Sequence, residues 1–213
     1  MKAYIFDLDG TLLDSMGLWE QIDVDFLSKR GFKVPDDYIN AISSRNFKEA
    51  AEYTIERFNL SQNAEELMDE WNNMALYAYS NTIKLKPHAK DYLTALKSRG
   101  AKLGIATNLP SKLHTPALFN NGIDSLFDAV CSSDEVLCGK NRPDIFLLAA
   151  RKLGVPASEC IVFEDILPAI KSAKSVGMTV YGVYDESSSC HLEQIKQVSD
   201  GVIYDFCDAP LPD

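Results

Sequence analysis

The chain has 213 residues, a formal net charge of −10 and 46% hydrophobic residues, which predicts a globular protein with a substantial core. The negative charge disfavours nucleic acid and acidic membranes as partners, because both are bound through clustered Lys and Arg that displace counterions. The longest apolar stretch, residues 145–150, is too short to cross a bilayer, and the first residues lack the apolar region of a secretory signal, so we expect a cytoplasmic protein.

The first predicted element is an apolar strand that runs into two carboxylates, in the string YIFDLDGTLLDS at residues 4–15. Side chains alternate across a strand, so an extended conformation through Asp9 would place Asp7 and Asp9 on one side, with Cα atoms roughly 7 Å apart. Two buried like charges need a cation between them, and oxygen-only ligands favour Mg²⁺. Gly10 allows a sharp turn beside the ligand. An isolated Asp-x-Asp is more often a solvated pair, so the prediction needs support from later segments.

From Ser15 the apolar spacing becomes helical and stays helical to about residue 80. Ser15 is expected to cap a first helix that runs to about Arg30 and stops at Gly31. Further helices are predicted over residues 36–42, 46–58 and 63–80, and their aromatic side chains form the core of a small bundle. We predict a helical cap domain over residues 15–82 and a core domain over 1–14 and 83–213. The two crossings, near residues 13–15 and 82–86, would act as a hinge.

After Leu85 helices and strands alternate. The predicted helices cover residues 89–99, 112–121, 143–153, 168–176 and 189–197, and the predicted strands cover 102–107, 128–132, 160–164, 178–183 and 201–204. This alternation predicts an α/β fold with a doubly wound parallel sheet, in which ligands bind beyond the carboxyl ends of the strands. Asp7, Thr107 and the pair Glu164-Asp165 all end predicted strands, and Lys140 lies in a loop before a helix. Four separate segments therefore bring reactive groups to one edge.

Four motifs in this order resemble those of the haloacid dehalogenase superfamily of phosphotransferases. The first is DLDGTLLDS at residues 7–15, and the second is a Thr that ends a strand, Thr107 in LGIATN. The third is a Lys followed by Pro-Asp-x-Phe, as in GKNRPDIF at residues 139–146, and the fourth is the acidic pair in VFED at residues 162–165. The resemblance covers essentially the whole chain. It implies a Rossmann-like core, and the helical insertion resembles the cap of the β-phosphoglucomutase-like branch.

The resemblance implies a role for each acidic residue. Asp7 would be the nucleophile that forms an aspartyl-phosphate, and Asp9 would protonate the leaving oxygen and then activate water. The implied cofactor is Mg²⁺, held by Asp7, the main-chain carbonyl of Asp9 and Asp165, with Glu164 as a further ligand or as an acceptor for metal-bound water. The plainer interpretation of Glu164 and Asp165 is a pair of helix-capping residues.

The remaining implied site residues bind the phosphate group. Thr107 and the Asn108 backbone amide would hold phosphate oxygens, and Lys140 would pair with both phosphate and the nucleophilic carboxylate. Taken alone, Thr107 could be an ordinary β-branched strand residue and Lys140 a solvated lysine. Only the ordered set of motifs favours the catalytic interpretation.

In the cap, the resemblance makes Met16, Trp19 and Arg45 the expected substrate-facing residues. Arg45 matches a loop where the mutase places an arginine on the non-reacting phosphate, although a surface arginine is an equal alternative. Trp19 stands where the mutase carries a histidine, which argues against sugar-phosphate isomerisation.

Three functions follow from these patterns. The leading prediction is a Mg²⁺-dependent phosphatase whose partner is a small organic phosphomonoester. The enzymatic alternative is a phosphosugar mutase of the β-phosphoglucomutase type. A third alternative, a non-enzymatic receiver domain with a phosphorylated Asp, is disfavoured by the Asp-x-Asp spacing and by the long helical insertion.

Overall fold

The fold is centred on a parallel β-sheet, seen in a computed structural model that describes residues 2–212. Within these residues the strands are β1 (Ala3–Phe6), β2 (Lys102–Thr107), β3 (Ala129–Ser132), β4 (Cys160–Glu164), β5 (Thr179–Val183) and β6 (Gly201–Ile203). Their order in the sheet is β3-β2-β1-β4-β5-β6, and every neighbouring pair is parallel. The predicted α/β fold class is confirmed, and the strands predicted after Leu85 lie within one residue of the observed bounds.

The helices fall into two groups. Between β1 and β2 lie α1 (Met16–Ser28), α2 (Tyr38–Ile42), α3 (Phe47–Phe58) and α4 (Ala64–Asn81), which we call the helical insertion. After it come α5 (Ala89–Ser98), α6 (Ser111–Asn121), α7 (Asp144–Leu153), α8 (Leu167–Ser175) and α9 (Leu192–Val198). Within residues 2–212, none of these helices combines the length and the apolar character needed to span a membrane.

The core is divided by the sheet. β1 is buried along its whole length, as expected for a central parallel strand, and its side chains alternate between the two faces. Tyr4 and Phe6 belong to one hydrophobic cluster, which continues into the helical insertion as far as Trp71. Ala3 and Ile5 belong to the other cluster. The insertion therefore shares a continuous apolar core with one face of the sheet.

The two crossings between the sheet and the insertion lie side by side. Leu13 and Leu85 form an antiparallel bridge, the Asp14 backbone N–H donates to the Lys84 carbonyl at 3.0 Å, and the Lys86 N–H donates to the Leu12 carbonyl at 2.8 Å. A hinge at these crossings stays a prediction.

Two local predictions were wrong. Ser15 stands at the start of α1, but its side chain makes no capping bond; its backbone lies in the helical region instead of the extended conformation typical of a cap, and its hydroxyl donates to Asp9 instead. The helix predicted over 189–197 begins as a 3-10 turn, Glu186–His191, and α9 starts only at Leu192. The Asp185 side chain accepts a bond from the Ser187 N–H and stabilises that tighter turn.

Candidate active site

The sheet brings three of the predicted residues to one edge. β1 lies between β2 and β4, so Asp7, Thr107 and Glu164 come from the carboxyl ends of three adjacent strands. The Asp7 backbone N–H donates to the Phe163 carbonyl at 3.0 Å and continues the pairing of β1 with β4. This adjacency follows from the strand order, because neighbouring parallel strands end side by side.

Lys140 is the central cation of this edge. Its ammonium group forms ion pairs with Asp7 Oδ1 and with Glu164 Oε2, the latter at 2.7 Å, and its side chain is only 2% exposed. Burial alone would lower the pKa of Lys140, but the carboxylates of Asp7 and Glu164 outweigh this effect and hold the pKa above its usual value. Lys140 therefore remains positively charged opposite the carboxylates.

Three carboxylates at this edge could hold a metal ion. One oxygen each from Asp7, Glu164 and Asp165 lie within 4.8 Å of one another, and all three residues are buried. Burial raises the pKa of Asp7 to about 8. The attraction of Lys140 opposes this rise, and repulsion from Glu164 and Asp9 adds to it. Burial and the neighbouring carboxylates also raise the pKa of Asp165.

This arrangement fits a divalent cation. A single Lys does not balance three buried carboxylates, and a donor set made only of oxygens suits Mg²⁺. A bound divalent cation would lower the pKa of Asp7 and Asp165 and keep both ionised. The Glu164 carboxylate also accepts hydrogen bonds from Lys140 and from the backbone N–H groups of Asp165 and Ile166, the last two at 3.1 and 3.3 Å.

The turn after β1 lies directly against Asp165. Gly10 has a φ of +76°, and a Cβ at this position would lie 2.4 Å from Asp165 Oδ2. Thr11 Oγ1 donates to Asp165 Oδ1 at 3.2 Å. The predicted need for glycine at position 10 is thus explained twice, by the backbone conformation and by the close approach to a carboxylate.

Asp9 reaches the site by a different route from the one predicted. β1 ends at Phe6, and the Leu13 N–H donates to the Leu8 carbonyl at 2.8 Å, which closes a tight turn around Asp9. The extended conformation through Asp9 was therefore a wrong prediction. The turn, instead of the alternation of a strand, brings the Asp9 carboxylate to the same cavity as Asp7.

The Asp9 carboxylate is held by two hydroxyl groups. Ser15 Oγ and the Tyr79 hydroxyl donate to Asp9 Oδ1 at 2.6 and 2.5 Å, and Trp19 Nε1 donates to the Tyr79 oxygen at 2.7 Å. Burial raises the pKa of Asp9, although the bonds from Ser15 and Tyr79 oppose this rise. Its carboxylate is not part of the three-carboxylate cluster, so its expected metal contact remains the main-chain carbonyl.

The sequence interpretation missed Tyr79 as a site residue. Tyr79 lies on α4, seventy positions after Asp9, and no local motif connects the two. Ser15 was noticed, but as a helix cap instead of a donor to Asp9.

A cavity of about 150 Å³ lies between the sheet edge and the helical insertion. On the sheet side it is lined by the predicted phosphate-binding residues Thr107 and Asn108 together with Lys140. Thr107 is 1% exposed and its Oγ1 accepts a bond from the Leu109 N–H at 3.0 Å. The cavity places the predicted phosphate-binding groups opposite the side chains of the insertion.

The predicted cap residues Met16, Trp19 and Arg45 all line this cavity. Arg45 Nε donates to the Ala41 carbonyl at 2.8 Å, and its guanidinium lies 4.8 Å from the centre of the Tyr53 ring. Arg45 is therefore a fixed part of the wall, which favours the cavity-lining alternative over that of a free surface arginine.

Asp23 also lines the cavity, and the sequence interpretation missed it. It lies on α1 between the buried residues Ile22 and Phe26, so a carboxylate on the apolar stripe of a helix was the available signal. Burial, and to a smaller extent the charge of Glu20, raises the pKa of Asp23 to about 7.

This fold and site define a class of enzyme: a doubly wound α/β protein with a carboxylate nucleophile candidate, a buried lysine and an acidic metal-binding cluster at the carboxyl edge. Residues 4–183 match the family model described as haloacid dehalogenase-like hydrolase. The chain belongs to this family. The predicted family and the predicted hydrolase class are thus confirmed, and the non-enzymatic receiver domain is not supported.

Similar proteins include phosphatases of carbohydrates and polyols. A phosphorylated carbohydrates phosphatase of Thermotoga maritima is 28% identical over 184 residues, which cover 86% of this chain and 85% of the relative. Hexitol phosphatase B of Escherichia coli is 25% identical over 179 residues, which cover 83% and 80%. The crystal structure of β-phosphoglucomutase from Clostridium difficile has the same fold, with a TM-score of 0.84, 21% identity and coverage of 99% of this chain and 93% of that one.

Proposed function

We propose that this protein is a Mg²⁺-dependent phosphatase that hydrolyses a small organic phosphomonoester through an aspartyl-phosphate on Asp7. The observation that carries the proposal is the buried group of Asp7, Lys140, Glu164 and Asp165 at the sheet edge. The carbohydrate and polyol phosphatases among its relatives support a phosphorylated sugar or polyol as the substrate.

In the first step an Asp7 oxygen attacks phosphorus, and the bond from phosphorus to the leaving oxygen breaks while Asp9 transfers its proton to that oxygen. In the second step water attacks the phosphorus of the aspartyl-phosphate, Asp9 accepts a proton from that water, and the bond to Asp7 breaks. The raised pKa of Asp9 favours the protonated form that the first step requires.

The other residues position and neutralise the phosphate. Lys140 pairs with Asp7 and faces the cavity, so it would balance charge on the nucleophile and on the transferring group. Thr107 and the Asn108 backbone amide would bind the phosphate oxygens. Asp7, Asp165 and the Asp9 carbonyl, with Glu164 directly or through water, would hold Mg²⁺, which when bound neutralises the phosphate oxygens and orients the group for in-line attack.

We propose that residues 15–82 act as a cap domain on a core made of residues 1–14 and 83–213. The cap would exclude water and contact the leaving group through Met16, Trp19 and Arg45, which line the cavity. Contacts between residues 15–82 and the loop that carries Lys140, residues 136–143, support this role. The Gly139 N–H donates to Glu49 Oε2 at 2.9 Å, and Asn46 Nδ2 donates to the Leu137 carbonyl at 3.3 Å.

The test is phosphate release from a panel of phosphomonoesters, with and without Mg²⁺, followed by phosphorus NMR. We expect release that requires Mg²⁺ and that is lost in Asp7→Asn, while the circular dichroism spectrum and the unfolding transition of the variant remain those of a folded protein. A folded Asp7→Asn variant with undiminished turnover would refute the nucleophile assignment.

The phosphosugar mutase is the second candidate, favoured by the shared fold with β-phosphoglucomutase. Trp19 opposes it, because its indole N–H is used to hold Tyr79 and offers no acid or base to the substrate. In the same experiment, glucose 6-phosphate formed from β-glucose 1-phosphate without phosphate release would identify the mutase.

A further inference from the structure

The loop that carries Lys140, residues 136–143, lies against the helical insertion through its backbone. Leu137 is 96% exposed, so its side chain does not anchor the loop to the protein. Gly139 is buried, and its backbone lies so close to the insertion that a Cβ there would be 2.5 Å from the Asn46 backbone nitrogen. The placement of this loop therefore depends on backbone contacts with the insertion.

Two side chains at the start of α3 make hydrogen bonds to this loop. Glu49 Oε2 accepts a bond from the Gly139 N–H at 2.9 Å, and Asn46 Nδ2 donates to the Leu137 carbonyl at 3.3 Å. Within residues 2–212 the buried Gly139 N–H has no other acceptor, so loss of Glu49 would leave it unsatisfied. The residue that follows Gly139 is Lys140, so both bonds lie within three positions of the ammonium group that faces the nucleophile.

Capping of α3 does not by itself account for these bonds. Asn46 and Glu49 form a capping box, in which each side chain accepts a hydrogen bond from the backbone N–H of the other residue. α4 begins with the same kind of box, made by Asn63 and Glu66, yet within residues 2–212 these two side chains make no hydrogen bond outside the box. The bonds to the loop are thus additional to capping, and the box of α4 provides an internal comparison.

We propose that Asn46 and Glu49 are positioning residues, which hold residues 136–143 in the place from which Lys140 pairs with Asp7. The proposal rests on the proposed phosphatase function and deepens it, because it makes charge balance at the nucleophile depend on the helical insertion. Neither Asn46 nor Glu49 lines the cavity, so they act through Lys140 and not by contact with the substrate.

The first test compares the turnover of p-nitrophenyl phosphate by variants of the two capping boxes, with Mg²⁺ present. Glu49→Ala should lower kcat by about tenfold or more, as for the loss of a hydrogen bond to a charged group. Glu49→Gln keeps an acceptor oxygen and should retain most of the activity. Glu66→Ala removes the equivalent capping bond from α4 and should leave kcat unchanged. An equal fall in Glu66→Ala would assign the effect to helix capping and would overturn the proposal.

Asn46→Ser separates the bond to the loop from capping. Ser is an equally good N-cap residue, but it lacks the amide nitrogen that donates to the Leu137 carbonyl. This variant should fold like the wild type and lower kcat by about threefold or more, whereas Asn63→Ser should leave kcat unchanged. Wild-type values of kcat in folded Asn46→Ser and Glu49→Ala would refute the positioning role while the phosphatase function stands.

A double-mutant cycle tests whether the effect passes through Lys140. In a Lys140→Met background, Glu49→Ala should cause no further loss of kcat, because the group that Glu49 positions is already absent. A further loss by the same factor as in the wild type would show that Glu49 acts independently of Lys140 and would contradict the proposal.

The order of the loop is measured separately from turnover, by hydrogen exchange in a peptide that contains residues 136–143. Glu49→Ala and Asn46→Ser should accelerate exchange there by about tenfold or more, and Glu66→Ala and Asn63→Ser should not. Acceleration confined to the first pair supports the proposal even if the wild type hydrolyses none of the phosphomonoesters. Equal exchange in all four variants refutes it whatever the outcome of the activity assay.

Discussion

Replacement of Asp23 by Asn should stabilise the protein, and the gain should grow with pH. In the folded chain burial raises the pKa of Asp23 from its ordinary value of 3.8 to about 7, and Glu20 on the same helix makes a smaller contribution. Burial, and to a smaller extent the charge of Asp23, raises the pKa of the nearby Tyr38. A carboxyl whose pKa is higher in the folded state stabilises the fold in its protonated form. This contribution is complete below the unfolded pKa and is lost as pH rises through the folded one.

The magnitude follows from these two pKa values. Between about pH 5 and about pH 8 the unfolded chain has already lost the proton of Asp23, whereas the folded chain loses it near pH 7. At about 1.4 kcal/mol per pH unit over about two units, the free energy of unfolding should fall by about 3 kcal/mol because of Asp23 alone. Asn has no charge to lose, so Asp23→Asn should lack this fall.

The assay is urea unfolding of the wild type and Asp23→Asn at both pH values, in a chelating buffer so that Asp7 and Asp165 titrate identically in the two proteins. The difference in stability between the proteins should increase by about 3 kcal/mol from the lower to the higher pH. Asp25→Asn, at an exposed position on α1, should change by less than about 0.5 kcal/mol. Parallel stability curves for Asp23→Asn and the wild type would show that Asp23 is solvated or paired and would refute the reasoning.

Three further predictions concern the catalytic cycle. Asp9→Asn should slow hydrolysis of esters with poor leaving groups by about a hundredfold or more and that of aryl phosphates much less, because only the former need a proton on the leaving oxygen; kcat against leaving-group pKa measures this. Tyr79→Phe removes the 2.5 Å bond to Asp9, so the limb of the pH–kcat profile that reports ionisation of Asp9 should move to higher pH. Gly139→Ala should lower kcat/KM by about tenfold or more, because a Cβ there would lie 2.4 Å from the Ser44 carbonyl oxygen and would disrupt the packing of the helical insertion against Gly139.

Each of these predictions has a contrary result. If Asp9→Asn lowered kcat by the same factor for aryl and for alkyl phosphates, the role of Asp9 as the acid would be contradicted. An unchanged pH profile for Tyr79→Phe would mean that the Tyr79 hydroxyl does not influence Asp9 during turnover. For Gly139 the matched control is Gly17→Ala, because a Cβ at Gly17 meets nothing within 4 Å; equal activity of the two alanine variants would show that the contact with Ser44 is dispensable.

Much of the fold was predictable from local pattern. Strands such as β2 and β4 are apolar runs of five or six residues that lie between helical segments, and their bounds, Lys102–Thr107 and Cys160–Glu164, were predicted to the residue. The end of β1 was predicted less well, because a period-2 pattern in YIFDLD does not reveal that a turn closes at Leu8. The capping role of Ser15 was predicted wrongly for a related reason. The turn after Leu8 brings the Asp9 carboxylate close to Ser15, and the Ser15 hydroxyl donates to this stronger acceptor.

The sequence by itself determined the chemistry available to this protein, because the carboxylates, the lysine and the threonine stand at the ends of recognisable elements in a recognisable order. Only the tertiary structure decided which groups surround them. Tyr79 contacts Asp9 across seventy residues, and Asp23 on α1 and Arg45 after α2 line the same cavity as Asp7. Such contacts depend on how the helices pack against each other and against the sheet, and helix packing is set by long-range apolar contacts that leave no local signature in the chain.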